Sequence, residues 1–146
     1  MKLKQISVFL ENKTGRLSSV INALATAGIN ITTLTLADTS QFGILRLIIE
    51  NWQEAKKVLE EAGAAVRVTD VLALEVKDEP GGLATVLNTV HSMGIGVEYM
   101  YAFTVKAYEN AVLIFRFDDM DKAVETLGKG GVSLVSPAQL FGNSKS

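Results

Sequence analysis

Two hexapeptides concentrate the groups able to hold a charged small molecule: Asn12-Lys13-Thr14-Gly15-Arg16-Leu17 and Asp78-Glu79-Pro80-Gly81-Gly82-Leu83. Each lies where an alternating apolar pattern gives way to a helical one. Gly15 and Gly81 allow positive φ, or close approach by another backbone or a ligand. Pro80 suits a first helical position, where its missing N–H costs nothing. Two readings fit these turns. They are helix starts satisfied by local capping, or they are places where exposed N–H groups and the helix dipole hold a carboxylate.

The other reactive residue types form no such grouping. The chain has no cysteine, which excludes disulfides, thiolate nucleophiles and cysteine-based metal sites. His91 is the one histidine; it follows Val90 with no Ser, Cys or second His patterned around it, and a nucleophile–base–orienter set needs three positioned groups. Glu60-Glu61 and Asp118-Asp119-Asp121 lack metal-ligand spacing, and the second set opens a helix, where carboxylates favour the dipole. Gly128-Lys129-Gly130-Gly131 follows a helix end, where the dipole is negative, so it reads as a turn and not a phosphate loop. No catalytic residues, metal or cofactor are expected.

The elements that position the two turns come in duplicate. Gly15, Leu17, Val20, Asn22 and Gly28 face Gly81, Leu83, Val86, Asn88 and Gly94 at one constant offset. Glu50, Ala55, Leu59 and Gly63 face Asp118, Ala123, Leu127 and Gly131 at an offset two residues longer, which places a two-residue insertion near Lys106. A two-residue change keeps the side-chain parity of the following strand. Ile6, Val8 and Leu10, like Leu72, Leu74 and Val76, alternate as a strand. Leu17, Val20, Ile21 and Leu24, like Leu83, Val86, Leu87 and Val90, form one helical face, ended by Gly28 and Gly94.

Strands about Ile29–Ala37 and Gly43–Glu50 follow, as a hairpin around Asp38-Thr39-Ser40, matched by Ile95–Thr104 and Ala111–Phe117. A second helix carries Trp52, Ala55, Val58, Leu59 and Ala62, or Met120, Ala123, Val124 and Leu127, on one face. Short closing strands near Val66–Val68 and Val132–Val135 complete each copy. The expected fold is α+β: two tandem ferredoxin-like βαββαβ modules, residues 1–69 and 70–146, each an antiparallel sheet with its helices on one face. The seam is Thr69-Asp70. The tail from Pro137 is expected to fray after Phe141.

Composition agrees with this class. Of 146 residues 48% are hydrophobic and 21% charged, enough core for two modules of about 70 residues. The net charge of -2 and scattered Lys and Arg argue against nucleic acid as partner. Met1 to Leu10 alternates in polarity, unlike a signal peptide or membrane anchor. No apolar run approaches the roughly 20 residues of a membrane span. A cytoplasmic protein is expected.

The turn motif, Asx-x-Pro-Gly-x-Leu with Gly-Ile-Asn-Ile after the helix, resembles the ACT domain. The matching pieces are Asn12, Gly15, Leu17 and Gly28-Ile29-Asn30-Ile31, then Asp78, Pro80-Gly81, Leu83 and Gly94-Ile95. The chain is most similar to small stand-alone proteins of two tandem ACT domains. That resemblance implies a regulatory protein, not an enzyme, in which a free amino acid binds at the interface between modules, near the first turn and the start of the second strand. It carries ligand contacts onto Asn12 and Asn30, whose amides offer donor and acceptor to a zwitterion. It also carries them onto the flanking residues Lys13 to Leu17, Ile31, and Asp78 to Leu83. Thr14 replaces the usual proline in the first copy, and Gly96 replaces the second asparagine in the other, so the copies are not expected to bind alike. Asp78 would there face an ammonium.

Tyr99, Tyr101 and Phe103 alternate along one strand, with Met100 and Ala102, like Leu34 and Leu36, expected to point inward. The three aromatics would share the helix-free sheet face with Phe9, Ile44, Ile48, Val112 and Ile114. That face is either an association surface, implying a homodimer, or is covered within the chain. Tyr99 could also wall the pocket. Two alternatives use the same topology: a small-molecule enzyme in the same cleft, which lacks an acid–base pair here, and an RNA-binding module, which would need aromatics on the first and third strands over a basic sheet. The amino acid, and the enzyme partner it would regulate, are not legible.

Overall fold

The computed structural model of the chain describes residues 2–11, 13–38, 42–103 and 110–144. It divides into two compact units, Lys4–Thr69 and Asp70–Ser146 together with Met1–Leu3. The ACT-like α+β expectation holds in each.

The first unit runs β1 (Leu3–Glu11), α1 (Arg16–Thr26), β2 (Thr33–Asp38), β3 (Phe42–Ile48), α2 (Trp52–Glu61) and into β4 (Ala65–Val76). Its strand order is β2-β3-β1-β4, with β1 and β2 both antiparallel to β3. Ile6, Val8 and Leu10 of β1 and Leu45 and Leu47 of β3 meet Val20 and Leu24 of α1 and Ala55 and Leu59 of α2 in one buried core. The helical and strand periods read from the sequence both point into it.

The second unit continues from β4 through α3 (Gly82–Ser92), β5 (Val97–Ala102), β6 (Ala111–Phe117), α4 (Met120–Leu127), β7 (Ser133–Val135) and α5 (Pro137–Ser144). Strand β6 lies between β5 and β4, and β7 pairs with β4 on residues 73–75. Leu72, Leu74, Phe115 and Phe117 pack against Val86, Val90, Ala123 and Leu127. The Phe115 and Phe117 rings stack with centroids 5.2 Å apart.

Both first helices end in the same way. Gly28, at φ 72°, lets its N–H reach Ala25 O while Ile29 N–H reaches Leu24 O; Gly94, at φ 70°, repeats this with His91 and Val90. That pairing satisfies carbonyls the helix leaves open. It also delays the next strand to Thr33 and Val97, later than the sequence pattern suggested, because Ile29, Ile31 and Ile95 turn into the cores first.

Other expectations are corrected. The helix after Pro80 starts at Gly82, with Gly81 as its N-cap, so Pro80 precedes the cap. The closing strand of one copy and the opening strand of the next are a single strand, β4, because nothing between Ala65 and Val76 breaks an extended chain. The tail does not fray at Phe141 but forms α5. There Ser136 and Gln139 cap each other, Oγ accepting from Gln139 N–H at 3.2 Å and Oε1 accepting from Ser136 N–H at 2.9 Å, and Leu140 is fully buried. Thr39, Ser40 and the insertion near Lys106 lie outside the described residues.

Leu34 and Leu36 share the core face, opposite Leu47 and Leu45 in the β3 register, yet they are 46% and 47% exposed. Strand β2 is the edge, and the helices do not cover it. Leu17, in the first turn of α1, is also exposed. Ala102 is exposed as well, and Met100 packs partly into the second core. The helix-free face, for which the sequence allowed an exposed association surface, is mostly buried. Ile48, Phe103, Val112 and Ile114 are buried, Tyr99, Tyr101 and Ile44 are half-buried, and Phe9 is exposed, as is Phe42 on the same face of β3.

Candidate functional site

The first turn works as its glycine requires. Gly15 is the N-cap of α1 at φ 89°, a conformation that strains any residue with a Cβ. The N–H of Arg16 donates to the Lys13 carbonyl at 3.2 Å, and a glycine cap has no side chain to accept from the N–H groups that follow it. Gly81 caps α3 identically at φ 86°.

A small cavity of about 190 Å³ adjoins the first turn, lined by Leu10, Glu11, Lys13, Arg16, Leu17, Leu36 and Gly43. Its size is below the roughly 300–1,000 Å³ of pockets that take drug-sized molecules. Its floor is apolar and its rim charged. Gly43 keeps the floor open, since a Cβ there would stand 3.3 Å from Leu36 Cδ1. Glu11 Oε2 and Lys13 Nζ form an ion pair at 3.0 Å. The hydrogen bond from Lys13, then its charge and that of Arg16, hold the Glu11 carboxyl below its usual range. Glu11 is therefore an anion on a rim with two cations. The Nε of Arg16 is buried and has no hydrogen-bond partner among the described residues.

The second turn adjoins a larger cavity, about 430 Å³, on different walls. Lys77, Glu79, Pro80, Gly81 and Gly82 of the turn meet Thr85 and Thr89 of α3, Gly130–Ser133 and the Glu75–Asn110 pair, joined at 3.1 Å. Gly82 is buried, and a Cβ there would collide with the Lys77 carbonyl oxygen. Gly128-Lys129-Gly130-Gly131 is a turn, as read from the sequence, though Gly130 and Gly131 line this cavity.

The structure thus gathers Lys13, Arg16 and Leu17 at one cavity and Glu79, Pro80, Gly81 and Gly82 at the other. Thr14, Gly15, Asp78 and Leu83 lie in the same turns; Thr14, Gly15 and Asp78 are exposed, and Leu83 is 37% exposed. Asn12 lies outside the described residues. Asn30 is exposed and lines neither cavity, Ile31 packs against the first core, and Tyr99 stands half-buried on β5. At the first cavity Leu10, Glu11, Leu36 and Gly43 were missed. Leu36 read as an inward-pointing residue; only the edge position of β2 turns it into a pocket wall. Among the described residues there is no cluster of three or more His, Cys, Asp or Glu able to hold a metal ion, and no helix long and apolar enough to cross a membrane.

Comparison with known proteins places this geometry among relatives. A family model described as "ACT domain pair" matches residues 1–141. A solved protein from Bacteroides thetaiotaomicron is 39% identical, with a TM-score of 0.88 over 97% of this chain and 96% of that one. The regulatory subunit of aspartate kinase from Thermus thermophilus shares the fold, with a TM-score of 0.61 over 87% of this chain and 91% of that one, at 18% identity. An acetolactate synthase small subunit from Buchnera aphidicola subsp. Baizongia pistaciae (strain Bp) is 36% identical over 81 residues, 54% of this chain. The match spans only 50% of that protein's length.

Proposed function

Since this chain belongs to the ACT domain pair family, we propose that it is a non-catalytic regulatory protein of the cytoplasm, binding a free amino acid at the turn between β1 and α1. The observation that carries the reading is the cavity at that turn. Ionised Glu11 suits an ammonium, Lys13 and Arg16 suit a carboxylate, and Leu10, Leu17 and Leu36 suit a side chain. Asn12 and Asn30 are proposed as further amide contacts, and the turn from Asp78 to Leu83, with Tyr99, as a second and unlike site.

Two of the similar proteins are, by name, a regulatory and a small subunit of an enzyme. An enzyme partner that reads the bound state is proposed by analogy with them. A homodimer is proposed as well, now on the exposed Leu34 and Leu36 of edge strand β2. Light scattering should give twice 15.7 kDa at micromolar concentration; a monomer rejects the dimer.

A thermal-shift screen over the twenty amino acids tests the binding. A ligand at 100 times its dissociation constant adds about 2.7 kcal/mol, which should raise the melting temperature by roughly 5–10 °C. Flat curves for all twenty at millimolar concentration overturn the reading.

A further inference from the structure

The two turns are copies in sequence but are inverted in charge. In register, Glu11 corresponds to Lys77, Lys13 to Glu79, and Arg16 to Gly82. The first cavity therefore carries two cations and one anion from its turn, and the second carries one of each, with the Glu75 carboxylate added from β4. Glu11 forms its ion pair with Lys13, so two cations share one anion among the described residues of the cavity, and Arg16 is the cation outside that pair. The difference is enforced at Gly82. A side chain there would run into the Lys77 carbonyl oxygen at its first carbon, so the second turn cannot hold a cation at the equivalent position.

We infer that Arg16 is the residue that reads the ligand's α-carboxylate, and that it confines a compact amino acid with an apolar side chain to the first turn. This inference rests on the amino-acid-binding reading above. Arg16 is the first residue of α1, at the end of the helix where the dipole favours an anion. Its Nε is already withdrawn from water without a partner among the described residues. Arg16 lines the cavity, so its guanidinium is the cationic group outside the ion pair that a carboxylate entering there meets. Guanidinium geometry favours two parallel bonds to a carboxylate, which a lysine cannot supply. The rest of the wall selects the side chain. Leu10, Leu17 and Leu36 offer no partner to a charged group, and the small volume excludes a large one.

The test is a cycle of two changes, read by calorimetry on the full chain. One removes the carboxylate's charge from the ligand, leucine to leucinamide; the other removes the charge from the protein, Arg16→Gln. Leucine should bind the parent about 10- to 100-fold more tightly than leucinamide, the range expected for a hydrogen bond between charged groups. Arg16→Gln should lose the same factor toward leucine and no longer distinguish the two ligands. Arg16→Lys, which keeps the charge but not the fork, should fall between them. An unchanged melting temperature of unliganded Arg16→Gln shows that the fold is intact; should that variant unfold, Arg16→Lys against the two ligands carries the same comparison.

If Arg16→Gln binds leucine as tightly as the parent, or still prefers it to leucinamide, the role of Arg16 is overturned while amino-acid binding stands. If aspartate or lysine binds more tightly than leucine, the apolar class is overturned. If no amino acid binds the parent, both this inference and the functional reading fall.

Discussion

The N–H of Gly96 donates to Oδ1 of Asp118 at 3.0 Å, and the N–H of Asp118 returns to the Gly96 carbonyl at 3.0 Å. Gly96 occupies the position that Asn30 holds in the first unit, and sequence alone suggests only that a ligand-binding amide is missing there. The geometry supplies another cause. A Cβ on Gly96 would sit 2.6 Å from Asp118 Oδ2, so the carboxylate fills the space a side chain would need. Gly96→Asn should displace Asp118 and cost about 1.5–2 kcal/mol in urea denaturation, the lower part of the range for a charged hydrogen bond because both residues are exposed. Asp118→Ala breaks the same bond. The double variant should lose less than the sum of the two single losses; simple additivity would show that the two residues are not coupled.

Gly82 and Gly142 should respond to the same substitution with opposite signs. Gly82→Ala drives a methyl into the Lys77 carbonyl, backbone against backbone, and should destabilise by about 2–3 kcal/mol, the upper part of the overpacking range. Gly142 lies within α5 in open space, with no atom inside 4 Å of where a Cβ would stand, and its φ is not left-handed. Alanine there should stabilise by about 0.5–1 kcal/mol, by limiting the unfolded chain. Chemical denaturation of both variants checks the pair.

These glycines mark the limit of what the sequence discloses. The duplication, the helix faces and the stops at Gly28 and Gly94 were all legible, because hydrophobic period and positive φ are local properties. The turn around Gly15 was legible for the same reason. The cavity was not. It depends on Leu36 lying on an edge strand beyond the reach of the helices, and on Glu11 and Arg16 converging from a strand end and a helix start. Periodicity assigns Leu36 to the core face correctly but says nothing about whether a helix covers it. Likewise, no local pattern tells that Gly82 abuts Lys77 or that Gly96 makes room for Asp118.

Lys2 and Asp121, joined at 2.6 Å, give a pH-dependent prediction. The hydrogen bond from Lys2, then its charge, lowers the Asp121 pKa from 3.8, and the same bond raises that of Lys2 from 10.5. A depressed carboxyl stabilises the fold above its unfolded value, and that contribution is lost as pH falls through the folded value. A raised ammonium contributes below its unfolded value, and its share is lost as pH rises through the folded one. The pair is solvent-exposed, so the effect on stability should be slight and weaken with salt. The titration itself is the sharper measurement. By carboxyl NMR, Asp121 should titrate below 3.8, and Lys2→Met should move its midpoint back up toward that value. An unmoved midpoint would mean the contact does not persist in solution.

The C-terminal helix provides the last prediction, because two separate interactions hold it. Ser136 and Gln139 form a reciprocal cap, and Leu140, one residue beyond Gln139, is fully buried. Pro137 opens the helix at a position where its missing N–H is not needed. Eight residues are too few for a helix that stands by itself in water, so α5 must depend on docking Leu140 more than on its cap. Ser136→Ala should therefore cost about 1 kcal/mol, the usual loss for a helix cap. Leu140→Ala should cost about 2–5 kcal/mol, the range for emptying a buried leucine site. Hydrogen exchange separates the two effects. Ser136→Ala should speed exchange only at the first turn of α5, while Leu140→Ala should release the whole helix. Release of the whole helix in Ser136→Ala, with α5 still protected in Leu140→Ala, would show that the cap and not the buried leucine holds it in place.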